Sequence, residues 1–279
     1  MKKWRAVGVL VALPVLVTGV YFGWFYSREK TLTWNGTARK YRLHRPLWDT
    51  AGEKRPLVVA LHGYADHPWF MEAYTGWSAK ADREKFFVVY PYGSSGDRDK
   101  NLSWNAGSCC GTALSENIND VGFLSNLITH LVQSYPIDGK RIYVTGFSNG
   151  ALLVMRVAAE NSEGVAKFGT MAGSVGGRFD SSTYFRLPTP QKLVTMILIH
   201  GKKDQIVPYA GGVNWARVAE FAPFSETARF WQDAGAKLKI VELENVGHWW
   251  PGGLLEWLST GRRGDFSATD AMWEFFQQE

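Results

Sequence analysis

Five residues, Gly146-Phe147-Ser148-Asn149-Gly150, constrain this chain more than any others. The run before them, Arg141-Ile142-Tyr143-Val144-Thr145, is apolar and reads as a buried strand. The run after them, Ala151 to Ala159, reads as a helix. A serine between two glycines at a strand-to-helix junction is the pattern of a nucleophile elbow. The glycines have a steric cause, since a tight turn leaves no room for side chains two residues to either side of the serine. The helix begins directly behind Ser148, and its first N–H groups favour negative charge developing there. The five-residue pattern alone is common in glycine-rich chains, and its position between strand and helix gives it weight.

A serine hydroxyl is a weak nucleophile at neutral pH and needs a base, which in turn needs an orienting acid. Behind an elbow of this kind the acid and then the base follow in chain order. Only His200 and His248 lie downstream of Ser148. His200 closes a strand and precedes the best acid candidate. His248 follows the last strand, within Gly247-His248-Trp249-Trp250-Pro251-Gly252-Gly253, where a base belongs. Asp204, in the segment after the preceding strand, is the expected acid. Asp180, Asp233 and Glu242 are weaker rivals, Asp233 reading as helical and Glu242 as part of a strand. An oxyanion hole requires two backbone N–H groups. Asn149, directly after the serine, supplies one. The turn after the strand Arg55–Leu61 supplies the other, at Tyr64, and Gly63 lets that turn approach closely. His62 reads as structural, and His44, His67 and His130 receive no role.

Along the rest of the chain, Thr31 to Leu47 alternates around Asn35-Gly36 and reads as two antiparallel strands joined by a tight turn. Trp48 to Lys54 reads as a loop. Arg55–Leu61 and Phe86–Tyr90 read as buried strands, and residues 69–85 as helical, weakened at Gly76. Ser94 to Glu116 reads as a long polar loop. Val121, Leu124, Leu127, Ile128, Leu131 and Val132 share one helical face that Pro136 ends. Phe168–Ala172, Leu193–Ile199 and Lys237–Leu243 read as further strands. Ser225 is expected to cap a helix reaching Ala234, and Thr269 to cap a terminal helix from Asp270. Alternating strands and helices predict an α/β fold, a mostly parallel twisted sheet with helices on both faces.

The 20 residues from Ala6 to Phe25 are uncharged and mostly apolar, long enough to span a bilayer. Lys2, Lys3 and Arg5 precede them, which orients the rest of the chain outward. Residues 1–30 therefore read as a signal anchor in the membrane, with a cleaved signal peptide as the alternative, and residues 31–279 as one exported domain. The net charge of +5 owes three positives to that terminus, and no Lys/Arg stripe stands elsewhere, so nucleic acid is not an expected partner. Thirteen tryptophans serve both packing and an aromatic cleft, with Trp104, Trp249 and Trp250 as expected cleft residues. Cys109 and Cys110 are the only cysteines. In an oxidising compartment they either close a vicinal ring or stay as two thiols. Adjacent cysteines without a histidine cluster make a poor zinc site, so neither metal nor cofactor is expected.

Several stretches together resemble the polyhydroxybutyrate depolymerase and feruloyl esterase (LpqC-like) family of α/β-hydrolases. They are Leu61-His62-Gly63-Tyr64, Trp104 through Gly111, Asp120-Val121-Gly122-Phe123, Arg141 through Gly150, His200-Gly201 through Asp204 to Tyr209, and Gly247-His248 with Trp250 through Gly253. The resemblance runs from about residue 31 to the C-terminus and implies an α/β-hydrolase fold. It also implies ester hydrolysis by a Ser148–Asp204–His248 triad on hydroxyalkanoate polyesters, feruloylated polysaccharide or acetylated sugars. One departure stands out. Family members often carry two acidic residues before V-G-F, and here Asn119 precedes Asp120. Two other classes stay open at this point, a serine peptidase using the same residues and a non-catalytic carbohydrate- or polymer-binding module.

Overall fold

The computed structural model describes residues 29–46, 52–96, 99–180, 182–253, 256, 258 and 264–278. The apolar N-terminal segment lies outside them; among the described residues, no helix is long and apolar enough to cross a membrane.

An eight-stranded sheet runs through the molecule. Its strands are β1 (Glu29–Trp34), β2 (Thr37–His44), β3 (Arg55–Leu61), β4 (Phe87–Pro91), β5 (Ile137–Phe147), β6 (Lys167–Met171), β9 (Thr195–Gly201) and β12 (Lys237–Leu243), in the spatial order β1-β2-β4-β3-β5-β6-β9-β12. β1 and β2 pair antiparallel across the Asn35-Gly36 turn, where both residues hold positive φ. β2 meets β4 antiparallel, and every other pairing is parallel. The parallel strands explain the solid apolar runs, because helices cover both their faces. Along β3, Leu57, Val59 and Leu61 join one core, while Val58 and Ala60 join the other. This is the period-two alternation of a pleated strand.

The first core lies under α4 (Asp120–Ser134), α5 (Asn149–Glu160) and α6 (Phe224–Asp233). The second lies under α1 (Pro68–Thr75), α2 (Trp77–Glu84) and α7 (Ala268–Gln277). The expected helix over 69–85 is two helices, because Gly76 takes φ 70° between them. The expected polar loop 94–116 holds a short helix, α3 (Gly111–Ser115), and much of it is buried. A second sheet, of β10 (Gly212–Val213), β11 (Ala219–Phe221), β7 (Gly176–Phe179) and β8 (Phe185–Arg186), was not expected.

Two expected caps are corrected. Ser225 lies inside α6, which starts after Pro223 without a side-chain cap. The terminal helix is capped by Ser267, whose oxygen accepts the Asp270 N–H. Thr269 instead donates to the Thr75 carbonyl at 2.6 Å and accepts the Trp250 indole N–H at 2.9 Å. Asn119, the departure from the family pattern, caps α4 by accepting the Gly122 N–H at 2.9 Å. Asn and Asp cap helices about equally well, so the lost carboxylate leaves this helix start intact. Asp120 is the buried acid there, paired with Arg39 at 2.8 Å and accepting the Asn105 N–H.

Strand order reverses at β3, with β4 on one side of it and β5 on the other. A crevice forms beyond the carboxyl ends of strands at such a switch point. Ser148 stands at that place, directly after β5 and beside the end of β3.

Candidate active site

Ser148 takes φ 54° and ψ −121°, a backbone region that costs roughly 1–3 kcal/mol for a residue with a side chain. Its surroundings hold it there. The Ser148 N–H donates to the Met171 carbonyl at 3.0 Å, and the Ser148 carbonyl accepts the Leu152 N–H at 2.9 Å as α5 begins. A Cβ on Gly146 would stand 2.5 Å from the Gly150 carbonyl carbon, so the two glycines allow the turn to close on itself.

His248 reaches Ser148 from the loop after β12. Its Nε2 lies 2.9 Å from Ser148 Oγ, and its Nδ1 lies 2.7 Å from Asp204 Oδ2. The Phe147 ring packs on the imidazole at 4.8 Å with 34° between the planes. Asp204 Oδ1 accepts the N–H groups of Ile206 at 2.8 Å and Val207 at 3.0 Å. Burial acts to raise the Asp204 carboxyl, but hydrogen bonds from His200 and His248 outweigh it and hold the group well below the usual carboxylate range. An ionised carboxylate only accepts, so Nδ1 of His248 carries the ring proton and Nε2 is left free to accept from the serine. His200 stays behind the acid, its Nε2 2.9 Å from the Val207 carbonyl and 3.5 Å from Asp204 Oδ2. The sequence-expected trio is thus brought into one line, and His200 is kept out of it. Of the rival acids, Asp233 ends α6 and Glu242 lies in β12, where Tyr209 donates to it.

The turn Gly63-Tyr64 lies against the serine. A Cβ on Gly63 would stand 3.5 Å from Ser148 Cβ. Asn149 opens α5, so its N–H has no partner within the helix. Among the described residues, neither the Tyr64 nor the Asn149 N–H has a hydrogen-bond acceptor. Both therefore remain available to an anion at the serine.

A family model described as esterase PHB depolymerase matches residues 40–185, just over half of the chain. The chain belongs to that family. The match contains Ser148 and ends before Asp204 and His248, which the three-dimensional geometry supplies. Among curated relatives, this PHB depolymerase family chain is 26% identical over 184 residues to a bifunctional acetylxylan esterase/xylanase of Neocallimastix patriciarum, covering 66% of the chain and 23% of that protein. It is 34% identical over 119 residues to poly(3-hydroxyalkanoate) depolymerase C of Paucimonas lemoignei, covering 42% and 28%. The chain thus spans about a quarter of the length of these relatives. A solved ferulic acid esterase from Anaeromyces mucronatus shares the fold, with a TM-score of 0.62 at 14% identity over 90% of this chain and 89% of that one.

The expected aromatic cleft needs correction. Trp104 is 0% exposed and Trp250 2%, so neither offers a face to a substrate. Both are spent on packing and hydrogen bonds, Trp104 to the His62 carbonyl and Trp250 to Thr269. Trp249 is 36% exposed and alone of the three reaches solvent. Cys109 and Cys110 form a vicinal disulfide just before α3.

His62, read from sequence as structural, is fully buried within this family's site. Its Nε2 accepts the Gly93 N–H at 3.0 Å and its Nδ1 lies 2.7 Å from the Gly63 carbonyl oxygen. Burial pushes it down from 6.5 to about 3. Above pH 6.5 neither the folded nor the unfolded chain binds this proton. Below that the unfolded chain takes it up and the folded chain refuses it, so stability falls with pH down to about pH 3. The expected loss is about 1.4 kcal/mol per pH unit below about pH 6. Urea midpoints from pH 7 to pH 4 should drop more steeply in the natural protein than in His62→Asn, and parallel curves would refute the buried neutral imidazole.

Proposed function

We propose that this chain is an exported serine esterase of the PHB depolymerase and feruloyl esterase type. One observation carries the reading, the hydrogen-bonded line from Ser148 Oγ through His248 to Asp204 at 2.9 and 2.7 Å. Ser148 Oγ attacks the ester carbonyl carbon while His248 Nε2 takes the hydroxyl proton. Asp204 orients the imidazole and stabilises the imidazolium. The carbonyl oxygen becomes an oxyanion and receives the N–H groups of Tyr64 and Asn149. Collapse breaks the ester C–O bond, and His248 returns its proton to the leaving alcohol. Water then attacks the acyl-serine, giving a proton to His248, and His248 passes it to Ser148 Oγ as the Oγ–acyl bond breaks and the acid leaves. Relatives named for acetylxylan, poly(3-hydroxyalkanoate) and feruloyl substrates support an oxygen ester, small or polymeric, as the substrate.

Export is supported by the charged and apolar N-terminus of the sequence. It is supported as well by the Cys109–Cys110 disulfide, a bond kept in oxidising compartments.

The test uses methyl ferulate, an acetylated xylo-oligosaccharide, a 3-hydroxybutyrate oligomer and p-nitrophenyl acetate, with a fluorophosphonate as covalent probe. Turnover of at least one ester and a phosphonyl adduct on the Ser148 peptide are expected. Selective turnover of the ferulate or the sugar ester assigns the protein to plant polymer breakdown; selective turnover of the oligomer makes it a polyester hydrolase. No turnover together with an unlabelled Ser148 overturns the reading.

A further inference from the structure

The Tyr64 N–H belongs to a peptide unit that the triad does not touch, so something else must aim it. A trans peptide is planar, with its C=O and N–H pointing in opposite directions. Whatever fixes the Gly63 carbonyl therefore fixes the Tyr64 N–H. That carbonyl receives His62 Nδ1 at 2.7 Å. The ring has no freedom to reverse its roles. Nε2 must accept, because the group facing it at 3.0 Å is the Gly93 N–H. The proton therefore sits on Nδ1 and is donated to Gly63. Resting on the proposed function above, we propose that His62 is the positioning residue of the oxyanion hole, setting the Gly63–Tyr64 peptide plane so that the Tyr64 N–H faces the oxygen that becomes charged.

Three further observations bind this frame together. The Ala65 N–H donates to the Leu102 carbonyl at 2.9 Å, so the turn is held on the far side of Tyr64 as well. The His62 carbonyl accepts the Trp104 indole N–H at 3.0 Å, and the Trp104 ring lies 4.9 Å from the imidazole. Trp104 also grips Asn149, the residue carrying the second donor. Its N–H donates to Asn149 Oδ1 at 2.8 Å, and its carbonyl accepts Asn149 Nδ2 at 3.0 Å. Both oxyanion donors are thereby tied to one buried residue, the first through the Trp104 indole and the second through the Trp104 main chain. Donors fixed before the charge appears need no reorganisation when it does. An imidazole kept neutral by burial holds this pattern across the working pH range.

The experiment compares His62→Phe, which removes both hydrogen bonds, with His62→Asn, whose amide nitrogen takes the place of Nδ1. The readouts are kcat and KM on the best ester of the panel, the inhibition constant of a trifluoromethyl ketone that forms a tetrahedral oxyanion on Ser148, and the inhibition constant of the product acid. In His62→Phe, kcat is expected to fall about 100-fold, with ketone affinity falling in parallel. KM and product-acid affinity should stay within about threefold, and His62→Asn should recover at least about tenfold of the lost kcat. A folded His62→Phe with kcat within about threefold of the natural protein overturns the proposal. So does a loss of kcat with unchanged ketone affinity, or a His62→Asn no better than His62→Phe. Where His62→Phe does not fold, Trp104→Phe decides, since it keeps a buried aromatic ring and the main-chain bonds to Asn149 while removing the indole N–H to the His62 carbonyl. Parallel losses in kcat and ketone affinity support the frame, and unchanged values overturn it. Phosphonylation of Ser148 in the natural protein separates the two levels: labelled serine with an indifferent His62 sinks this proposal alone, and unlabelled serine sinks the esterase reading first.

Discussion

Ser148→Ala is expected to lower kcat/KM by about 10⁵-fold or more on the best ester while the protein stays folded. The substitution removes one atom, the oxygen that the proposed mechanism bonds to the acyl carbon, and residual activity would then come from the proposed oxyanion donors and substrate binding. Stability should hardly change. The backbone at φ 54° and ψ −121° strains alanine as it strains serine, and alanine gives up only the 2.9 Å hydrogen bond to His248. Ser148→Gly is expected to be equally inactive and more stable by about 1 kcal/mol, because glycine occupies that region without a Cβ penalty. A fall in activity with a rise in stability at one position marks strain kept for catalysis. The three proteins should be compared side by side by steady-state kinetics and thermal unfolding. Retention of more than about 1% of the natural kcat/KM in Ser148→Ala would remove this serine from the mechanism.

The largest effect on stability is expected at Gly150. A Cβ there would come within 2.6 Å of the His62 carbonyl oxygen and closer still to that of Leu61. Both are main-chain atoms at the end of β3 and have no rotamer to escape into. Gly150→Ala therefore forces the start of α5 away from β3, at a cost of about 3 kcal/mol or more. For a domain of this size that is a fall of roughly 6–12 °C in Tm. The shift also parts Ser148 from the Gly63-Tyr64 turn, so activity should drop beyond what unfolding explains. Gly139→Ala, in β5, is the control. Its Cβ would meet a Val132 methyl at 3.7 Å, an ordinary van der Waals distance, and its Tm should stay within about 3 °C of the natural protein. Equal melting of the two variants would show that the elbow does not need its second glycine.

Much of this was legible in the chain because it rests on local or periodic chemistry. The parallel strands β3, β4 and β9 announce themselves as apolar runs, since both of their faces are covered. α4 shows a helical stripe, Asn35-Gly36 dictates its turn, and the elbow requires small residues at fixed spacing. Chain order then leaves few candidates, and Ser148, Asp204 and His248 meet as that order implies. The second sheet was invisible, because strands of two to four residues are too short to show a period. The caps at Ser225 and Thr269 were misplaced by a few residues, since several hydroxyls near a helix start compete and packing chooses among them.

The sequence by itself determined the α/β alternation, the elbow and the identity of the three residues that meet at it. Only the tertiary structure decided the fate of the aromatic and histidine side chains around them. Trp104 and Trp250 are buried by partners far away in the chain: His62 and Asn149 for one, Thr269 for the other. His62 is an ordinary histidine in the one-dimensional text. Its two nitrogens acquire their meaning from Gly93 and Gly63, which the sheet brings to either side of the ring. Periodicity and turn chemistry are written over a few neighbouring residues. Burial and hydrogen-bond partnership are set by whichever distant segment closes over a side chain, and only the folded chain makes that choice.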